Sequence, residues 1–568
     1  MTAGTRKPRF VDLYTPKLVT VLKEGYGLAN LKADALSGLT VAIVALPLSM
    51  AIAIASGVTP DRGLYTSIIG GFIISAFGGS RFQIGGPAGA FIVLVSVTVA
   101  QHGIDGLLLA TLLSGFMLLA VGLLRLGTFV KYIPYPVTIG FTAGIAVIIL
   151  VSQLEDLLGL ALGGAPAALL PKLKAIGAAL PTATPAAILV AAITVGGIAA
   201  LRRYRPHWPS FIIAVVVAAG AAALFGLPVE TIGTRFGGIP QTLPMPQLPE
   251  FSTARVLAVL PNALSFTLLG AIESLLSAVV ADAMTGRRHR SNCELVAQGI
   301  ANIASPLFGG ICATGNIART ATNVRAGARG PVSGMLHALF LLAFMLLAAP
   351  LAAYIPLAAL AGVLVVVAWN MAERHQVATL VRASRGDAIV LLLTFLLVVF
   401  RDLTTGIFVG FAAGALLFLH RMAQTVAVEQ AAPRIEADKA DNVNGRRPYD
   451  SELATDPDIA VVRISGAFFF GTAGAVGAAL DRIGEHPKAC IIDFSAVSLL
   501  DSTGAATIDG FVRNVERRGG KVYIVGAARA VRRTLLVHGI QPPRVRFRQE
   551  LRDAVELARG GLAPRQPG

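Results

Sequence analysis

Apolar stretches long enough to cross a bilayer recur from Ala35 to about His420, each closed by a short polar joint. They start near residues 35, 63, 86, 106, 133, 185, 209, 256, 291, 315, 331, 351, 387 and 404, fourteen in all when two short ones are included. The pattern predicts an α-helical polytopic membrane protein. The two short stretches carry information of their own: 86–100 makes a helix of about 22 Å and 315–325 a shorter one, whereas a hydrocarbon core of about 30 Å needs roughly 20 residues. They are the third and the tenth, the same place in each set of seven. Both follow a Phe-Gly-Gly, in FGGSRFQIGGPAGAF (Phe77 to Phe91) and FGGICATGNIARTATN (Phe308 to Asn323). Because seven is odd, the second set runs opposite to the first, which predicts a 7+7 inverted repeat. Gly/Pro-interrupted short segments at matching positions of two halves point to a transporter's substrate site.

After Met422 the pattern changes. Residues 423–457 are polar and charged and read as a linker. From 458 to 560 the apolar positions suit a small α/β domain, with IAVVRIS, KACIIDF and KVYIVGA as strands and helices after Thr472, Thr503 and Arg529. The expected organisation is 1–34 as an N-terminal segment, 35–422 as the membrane domain, 423–457 as the linker, 458–560 as the α/β domain and 561–568 as a tail.

Composition agrees with a membrane protein: 55% of the 568 residues are hydrophobic and 14% charged, with a mean hydropathy of +0.70. The first 32 residues carry Arg6, Lys7, Arg9, Lys17, Lys23 and Lys32 and no cleavable signal pattern. The net charge of +16 is spread over short joints rather than gathered on a stripe, so it predicts membrane orientation rather than nucleic-acid binding. Alternate joints hold the excess: Arg81, Arg125 with Lys131, Arg202-Arg203-Arg205, Arg287-Arg288-Arg290, Arg325 with Arg329, Arg374 with Arg382 and Arg385, and Arg421. These joints and both termini are expected in the cytoplasm of a cell (inner) membrane protein. The three cysteines, Cys293, Cys312 and Cys490, suggest neither a disulfide framework nor a metal site. No cofactor is expected, and with eight scattered histidines no catalytic set stands out, so an enzyme is not expected.

Each short helix starts from an extended, Gly-bearing approach, so its first N–H groups carry the positive end of the helix dipole. Two such ends meeting near the midplane make an anion site, from Pro87, Ala88, Gly89 and Ala90 on one side and Asn316, Ile317, Ala318 and Arg319 on the other. The bland alternative is that the glycines only permit close helix packing. Arg319 either attracts the anion or tunes the cavity potential, against a snorkelling or structural role. Glu273, in LLGAIESLLSAVVAD, has no charged residue between it and Arg255. At that depth it either pairs with a cation or carries a proton, and burial favours the protonated form. Ser277 shares its face one turn on. Asp282 suits an interface pair with Arg287 and Arg288. In LLDSTGAATIDGF, Asp501, Ser502 and Thr503 stand between a strand and a helix, as a helix cap or as a phosphate-accepting or partner-binding loop.

On these residues the chain resembles the sulfate permease family of anion transporters. The most specific pieces are GLTVAIVALPLSMAIAIASGV (Gly38 to Val58), GLYTSIIGGF, GGSRFQIGGPAGAF, GAIESLLSAVVADAMTG, NCELVAQGIANI and GNIARTATNVRAGARGPVSG. The C-terminal part resembles the STAS domain, with DSTG at its characteristic loop. The resemblance implies core and gate domains, elevator-like alternating access, a homodimer, and substrate between the third and tenth helices lined by the first and eighth. That adds Pro47, Leu48 and Ile52 to the half-helix residues, with Glu273 and Ser277 for coupling. Relatives that couple bicarbonate to sodium tend to carry Asp at the Glu273 position and hydroxyls near Ile317; Glu and Ile here favour protons. The phosphorylated serine of the anti-sigma antagonists corresponds to Thr503. Bacterial members similar to this sequence include proton-coupled C4-dicarboxylate carriers, so the expected partners are a C4-dicarboxylate or sulfate, protons, lipid, a second copy and an unidentified cytoplasmic partner of the STAS domain. Rival readings are a bicarbonate carrier, a channel-like anion conductor and a STAS-centred scaffold or sensor.

Overall fold

Long uncharged runs leave the backbone no way to satisfy its polar groups in lipid except helix, and helices stand at every one of the expected apolar stretches. The computed structural model describes residues 13–128, 134–162, 169–205, 208–430, 458–483 and 488–562. It divides into two compact units between Ala412 and Ala413. Besides shorter helices at Lys17–Lys23, Leu154–Leu158, Leu169–Ala179, Ile232–Phe236 and Arg374–Ala383, the first unit contains α1 Leu28–Ala55, α2 (60–77), α3 Ile92–Leu123, α4 Tyr135–Ser152, α5 Pro185–Tyr204, α6 Ser210–Leu224, α7 Thr253–Thr285, α8 Ser291–Leu307, α9 Ile317–Arg325, α10 Val332–Ala352, α11 Leu357–Met371, α12 Arg385–Phe400 and α13 Leu403–Gln424, the last of which crosses the division. Eight stretches among the described residues are long and apolar enough by themselves to cross a bilayer.

Local irregularities appear where the sequence asks for them. Gly103 adopts φ +68°, ψ −173° inside α3 and breaks it between the third and fourth apolar stretches; without a Cβ it takes that conformation freely. In α2 the turn Thr66–Gly70 is a π turn, an arrangement that often marks functional positions. Two short strands, β1 Gly85–Gly86 and β2 Thr314–Gly315, pair antiparallel, with Gly85 opposite Gly315 and Gly86 opposite Thr314. They are the approaches to the two short helices. The two short helices therefore start from a common two-stranded crossing.

The second unit contains a five-stranded sheet in the order β3 Ala427–Gln430, β4 Ile459–Phe468, β5 Ala489–Leu500, β6 Lys521–Val525, β7 Val545–Arg548. β3 is antiparallel to β4, and the others run parallel. Alternation along β5 feeds two cores. Cys490, Ile492 and Phe494 pack with α14 Phe470–Ile483, α15 Ser502–Arg517 and α16 Arg529–Val537 on one face, and Ala489 and Ile491 pack with α17 Leu551–Leu562 on the other. β3 corrects the expected linker: its first residues form an edge strand because Val426 and Val428 reach the core of the sheet. Residues 431–457, the rest of that linker, lie outside the described residues. Cys490 is buried in this core, and burial pushes its thiol up to about 12, so it acts as a packing residue.

The DSTG loop caps a helix. Asp501 Oδ1 accepts the Gly504 N–H at 2.8 Å and Oδ2 the Phe470 N–H at 2.9 Å, while Ser502 and Thr503 are exposed. One carboxylate thus serves the starts of two helices. Asp501→Ala is expected to destabilise this unit by about 1–2 kcal/mol, read as a lower midpoint of its transition in the full chain, with Asp501→Asn intermediate.

Candidate functional site

At the first short helix, Ala88 is extended (φ −115°, ψ 146°), and the turn Gly89–Phe91 that opens the helix has no side-chain cap. At the second, Asn316 caps α9 by accepting the Arg319 N–H on Oδ1 at 3.2 Å. The N–H groups of Gly89, Ala90, Ile317 and Ala318 therefore stand at helix starts, where intrahelical partners are lacking. Pro87, Ala88, Gly89 and Ala90 are buried, Asn316 is buried, Ile317 is half-buried and Ala318 is exposed. Pro47, Leu48 and Ile52 of α1 are buried, and Leu48 and Ile52 share one apolar cluster with Ala88, Ala90 and Phe91. The first half-helix thus rests on an apolar floor and offers polarity through its backbone alone.

α7 is fastened to this crossing along one face. Ser274 Oγ accepts Gln83 Nε2–H at 2.9 Å, Gly270 O accepts the Thr314 hydroxyl at 3.2 Å, and Ser277 donates to Thr320 Oγ1 at 3.0 Å. These positions recur at helical spacing, which is why one α7 face meets both approaches. Ser277 is thereby committed to α9 and does not accompany Glu273 as a free group. Glu273 is 7% exposed and its carboxylate makes no hydrogen bond or ion pair among the described residues. It lies about 18 Å from the C-terminal end of α7 at 1.5 Å per residue. Of the two sequence alternatives, pairing with a protein cation is therefore not what the structure holds.

Arg319 turns toward α1 and α2. Its guanidinium is fully enclosed and donates to Ser67 Oγ at 3.1 Å and Ser49 Oγ at 3.0 Å, and those hydroxyls are 2.8 Å apart. Ser67 belongs to the π turn of α2. No carboxylate neutralises this charge among the described residues. Arg319 is therefore committed to Ser49 and Ser67 in this conformation rather than free to contact a ligand. A Cβ at Gly86 would lie 2.4 Å from Arg319 Nη1, so the strand must be glycine there to let the guanidinium pass.

α8 clamps both approaches. Glu294, fully buried, accepts the Ser80 N–H at 3.0 Å, and Asn302 holds Ala313 through both its N–H (2.9 Å) and its carbonyl (2.7 Å). Sequence reasoning passed over Glu294 and Asn302, although polar residues inside the apolar-patterned NCELVAQGIANI were the signal. Ser49, Ser67, Gln83 and Thr320 were missed as well. At the α7 end, Asp282 pairs with His289 Nδ1 at 2.7 Å, not with Arg287 or Arg288, because the turn after Gly286 brings the imidazole back over the carboxylate. A groove of about 470 Å³ beside α4 and α12 is lined by Ala143, Val147, Val377, Val381 and Phe395, and it offers an anion only the charges of Arg374 and Arg382.

Gly315 shows how tight the crossing is: a Cβ there would lie 1.8 Å from Gln83 Nε2 and 2.5 Å from its Cδ. Gly315→Ala is expected to push Gln83 off Ser274 at a cost of about 1–3 kcal/mol, measured as a lower melting temperature together with reduced anion uptake by the purified protein.

Residues 31–394 match the family model of the sulfate permease family and residues 450–554 that of the STAS domain. The chain is 40% identical to the putative sulfate transporter YvdB of Bacillus subtilis (strain 168), over 89% of this chain and 93% of that one. It is 32% identical to the bicarbonate transporter BicA of Synechocystis sp., over 89% and 90%. The solved transmembrane domain of a cyanobacterium BicA covers 69% of this chain and 98% of its own at 32% identity, with a TM-score of 0.61. A structure of SLC26A9 gives a TM-score of 0.84 over 97% and 94% of the two chains at 17% identity, which is a likeness of fold. The chain belongs to the sulfate permease family: it is a multi-pass membrane anion transporter with a C-terminal STAS domain, and not an enzyme.

Proposed function

We propose that the protein is a secondary active carrier that takes up a divalent oxyanion, sulfate or a C4-dicarboxylate, together with protons. The observation that carries this reading is the antiparallel β1–β2 crossing, from which two helices start with their N-termini at the same crossing. Helix starts favour anions without carrying a full charge, so they can bind and release them. Glu273, buried and without a protein cation, supports proton rather than counter-ion loading. The likeness to YvdB supports sulfate, and the apolar floor of Leu48, Ile52 and Ala88 suits the carbon atoms of a dicarboxylate. The likeness to BicA supports bicarbonate as the second reading.

The expected mechanism is elevator-like. The half-helices, α1 and α7, fastened to one another by the serine and threonine bonds above, carry the site as one body past the gate helices. Fourteen crossings in a 7+7 repeat, both termini in the cytoplasm, and a homodimer whose STAS domain meets a cytoplasmic partner complete this reading. Uptake of radiolabelled sulfate, succinate and bicarbonate into proteoliposomes holding the purified protein, with and without an inward proton gradient, tests it. Sulfate or succinate is expected to accumulate above its external concentration only with the gradient. Accumulation of bicarbonate alone, or flux at channel rates without concentration, overturns it.

A further inference from the structure

The groove of about 470 Å³ beside α4 and α12 lies on the far side of α4 from the anion site. Ala143 and Val147 line it and stand one turn apart, whereas Ile145 and Ile149, at about 100° per residue, fall on the opposite face of that helix. Ile149 is the residue that meets the first half-helix, since a Cβ at Gly89 would lie 3.4 Å from its Cδ1. The body of α4 therefore separates the groove from the crossing. Its volume is that of a small-ligand site, for which roughly 300–1,000 Å³ is usual.

The wall facing α4 is the short helix Arg374–Ala383, whose 10 residues make about 15 Å, too little to cross a bilayer. It turns Val377, Ala378 and Val381 to the groove, yet none of its residues is buried and Val381 is 48% exposed. An apolar side left uncovered by the chain, on a helix that also carries basic residues, is what a helix lying at a membrane surface presents. The third wall is Phe395 of α12. Beside it Ile389, Leu392, Leu396 and Phe400 recur at helical spacing, and all four are exposed. The groove thus runs into an apolar stripe which, on a spanning helix, meets lipid.

Both ends of the short helix bring an arginine to the groove. Arg374 and Arg382 line it, are exposed, and stand about 12 Å apart along the helix axis. Among the described residues neither makes an ion pair, even with the adjacent Glu373. Arg374 instead lies over the Trp369 ring at 3.9 Å, and Trp369, in the last turn of α11, is 55% exposed. Trp and Arg together at the end of a spanning helix mark headgroup depth. Two unneutralised guanidiniums at the rim of an apolar cleft complement an anion with a long apolar tail. A small soluble anion gains nothing from the floor, and a neutral lipid gains little from the arginines. We propose that the groove is a binding site for an anionic phospholipid, with its phosphate at Arg374 and Arg382 and an acyl chain along Ala143, Val147 and Phe395. Basic pockets between spanning helices suit such head groups. The site does not depend on the proton-coupled reading. Its wall follows directly on Met371, whose Sδ would lie 3.6 Å from a Cβ at Gly89, so a bound lipid steadies the chain that abuts the anion site.

The test is native mass spectrometry of the purified full-length protein, stripped of lipid in detergent and then equilibrated with phosphatidylglycerol or with phosphatidylcholine of the same acyl chains. Wild type is expected to retain one phosphatidylglycerol per chain with a roughly twentyfold preference over phosphatidylcholine. Arg374→Gln and Arg382→Gln are each expected to weaken that retention roughly fivefold, and the double variant to erase the preference. Both side chains are exposed, so these variants are expected to melt with the lipid-free wild type. Val147→Trp fills the groove without changing any charge and is expected to lose the lipid with both arginines in place. Glycerol 3-phosphate, a head group without tails, is expected not to compete. Equal retention of the two lipids, or retention unchanged in the double arginine variant, overturns the site. Competition by glycerol 3-phosphate overturns it in favour of a soluble phosphate. A Val147→Trp protein that keeps its phosphatidylglycerol but falls from dimer to monomer overturns it in favour of a second copy of the chain.

Discussion

Arg319→Ala is expected to weaken anion uptake roughly tenfold or more for each unit of anion charge, the scale on which one uncompensated charge acts through an effective dielectric near 20. The effect falls on the KM of uptake. Arg319 touches no ligand in this conformation: it is enclosed and held by Ser49 and Ser67. That geometry separates a field from a contact. Arg319→Lys keeps the charge but not the two-pronged grip on the serines, so it is expected to recover most of the affinity while melting below wild type. Wild-type KM in Arg319→Ala contradicts the field account, and an equal loss in the Ala and Lys variants contradicts it in favour of direct contact.

Glu273→Gln is expected to abolish proton-driven accumulation altogether while leaving exchange of labelled for unlabelled anion intact. The amide has the shape of the protonated acid and no proton to give, so the carrier behaves as permanently loaded. The wild-type side chain is 7% exposed and has no hydrogen bond or ion pair to lose among the described residues, so the substitution removes little from the fold. Counterflow and gradient-driven uptake measured on the same proteoliposomes separate the two functions. If the mutant still concentrates substrate with the gradient, Glu273 is structural and the proton travels elsewhere.

What the sequence revealed of this architecture follows from what local pattern can carry. Segment length exposed the two short helices, because a run too short for the bilayer is visible without any partner, and the break at Gly103 falls between the third and fourth runs. The extended, Gly-bearing approaches were legible, but their antiparallel pairing as β1–β2 was not, because it joins residues 230 apart in the chain. The bonds that fasten the crossing were not legible: Ile84 N–H to Thr320 Oγ1 joins residues 236 apart, and Ser80 to Glu294 joins residues 214 apart. Periodicity says that Ser277 shares a face with Glu273, not that Thr320 claims its hydroxyl. Arg319 stands in the first turn of α9, and which of its possible roles it takes was not legible, since only the packing of α1 and the π turn of α2 turns its guanidinium onto Ser49 and Ser67. β3 was hidden because four residues at a sheet edge have no period long enough to distinguish them from linker.

The most direct test of the central claim, an anion held between the two half-helix starts, is a structure of the purified protein determined with selenate, a sulfate analogue whose selenium is located by anomalous scattering. The account predicts one peak within hydrogen-bond reach of the backbone N–H groups of Gly89 or Ala90 and of Ile317 or Ala318, lost in Arg319→Ala at the same selenate concentration. A peak confined to the arginine-bearing joints, or none at the crossing while selenate competes with sulfate for uptake, would contradict it.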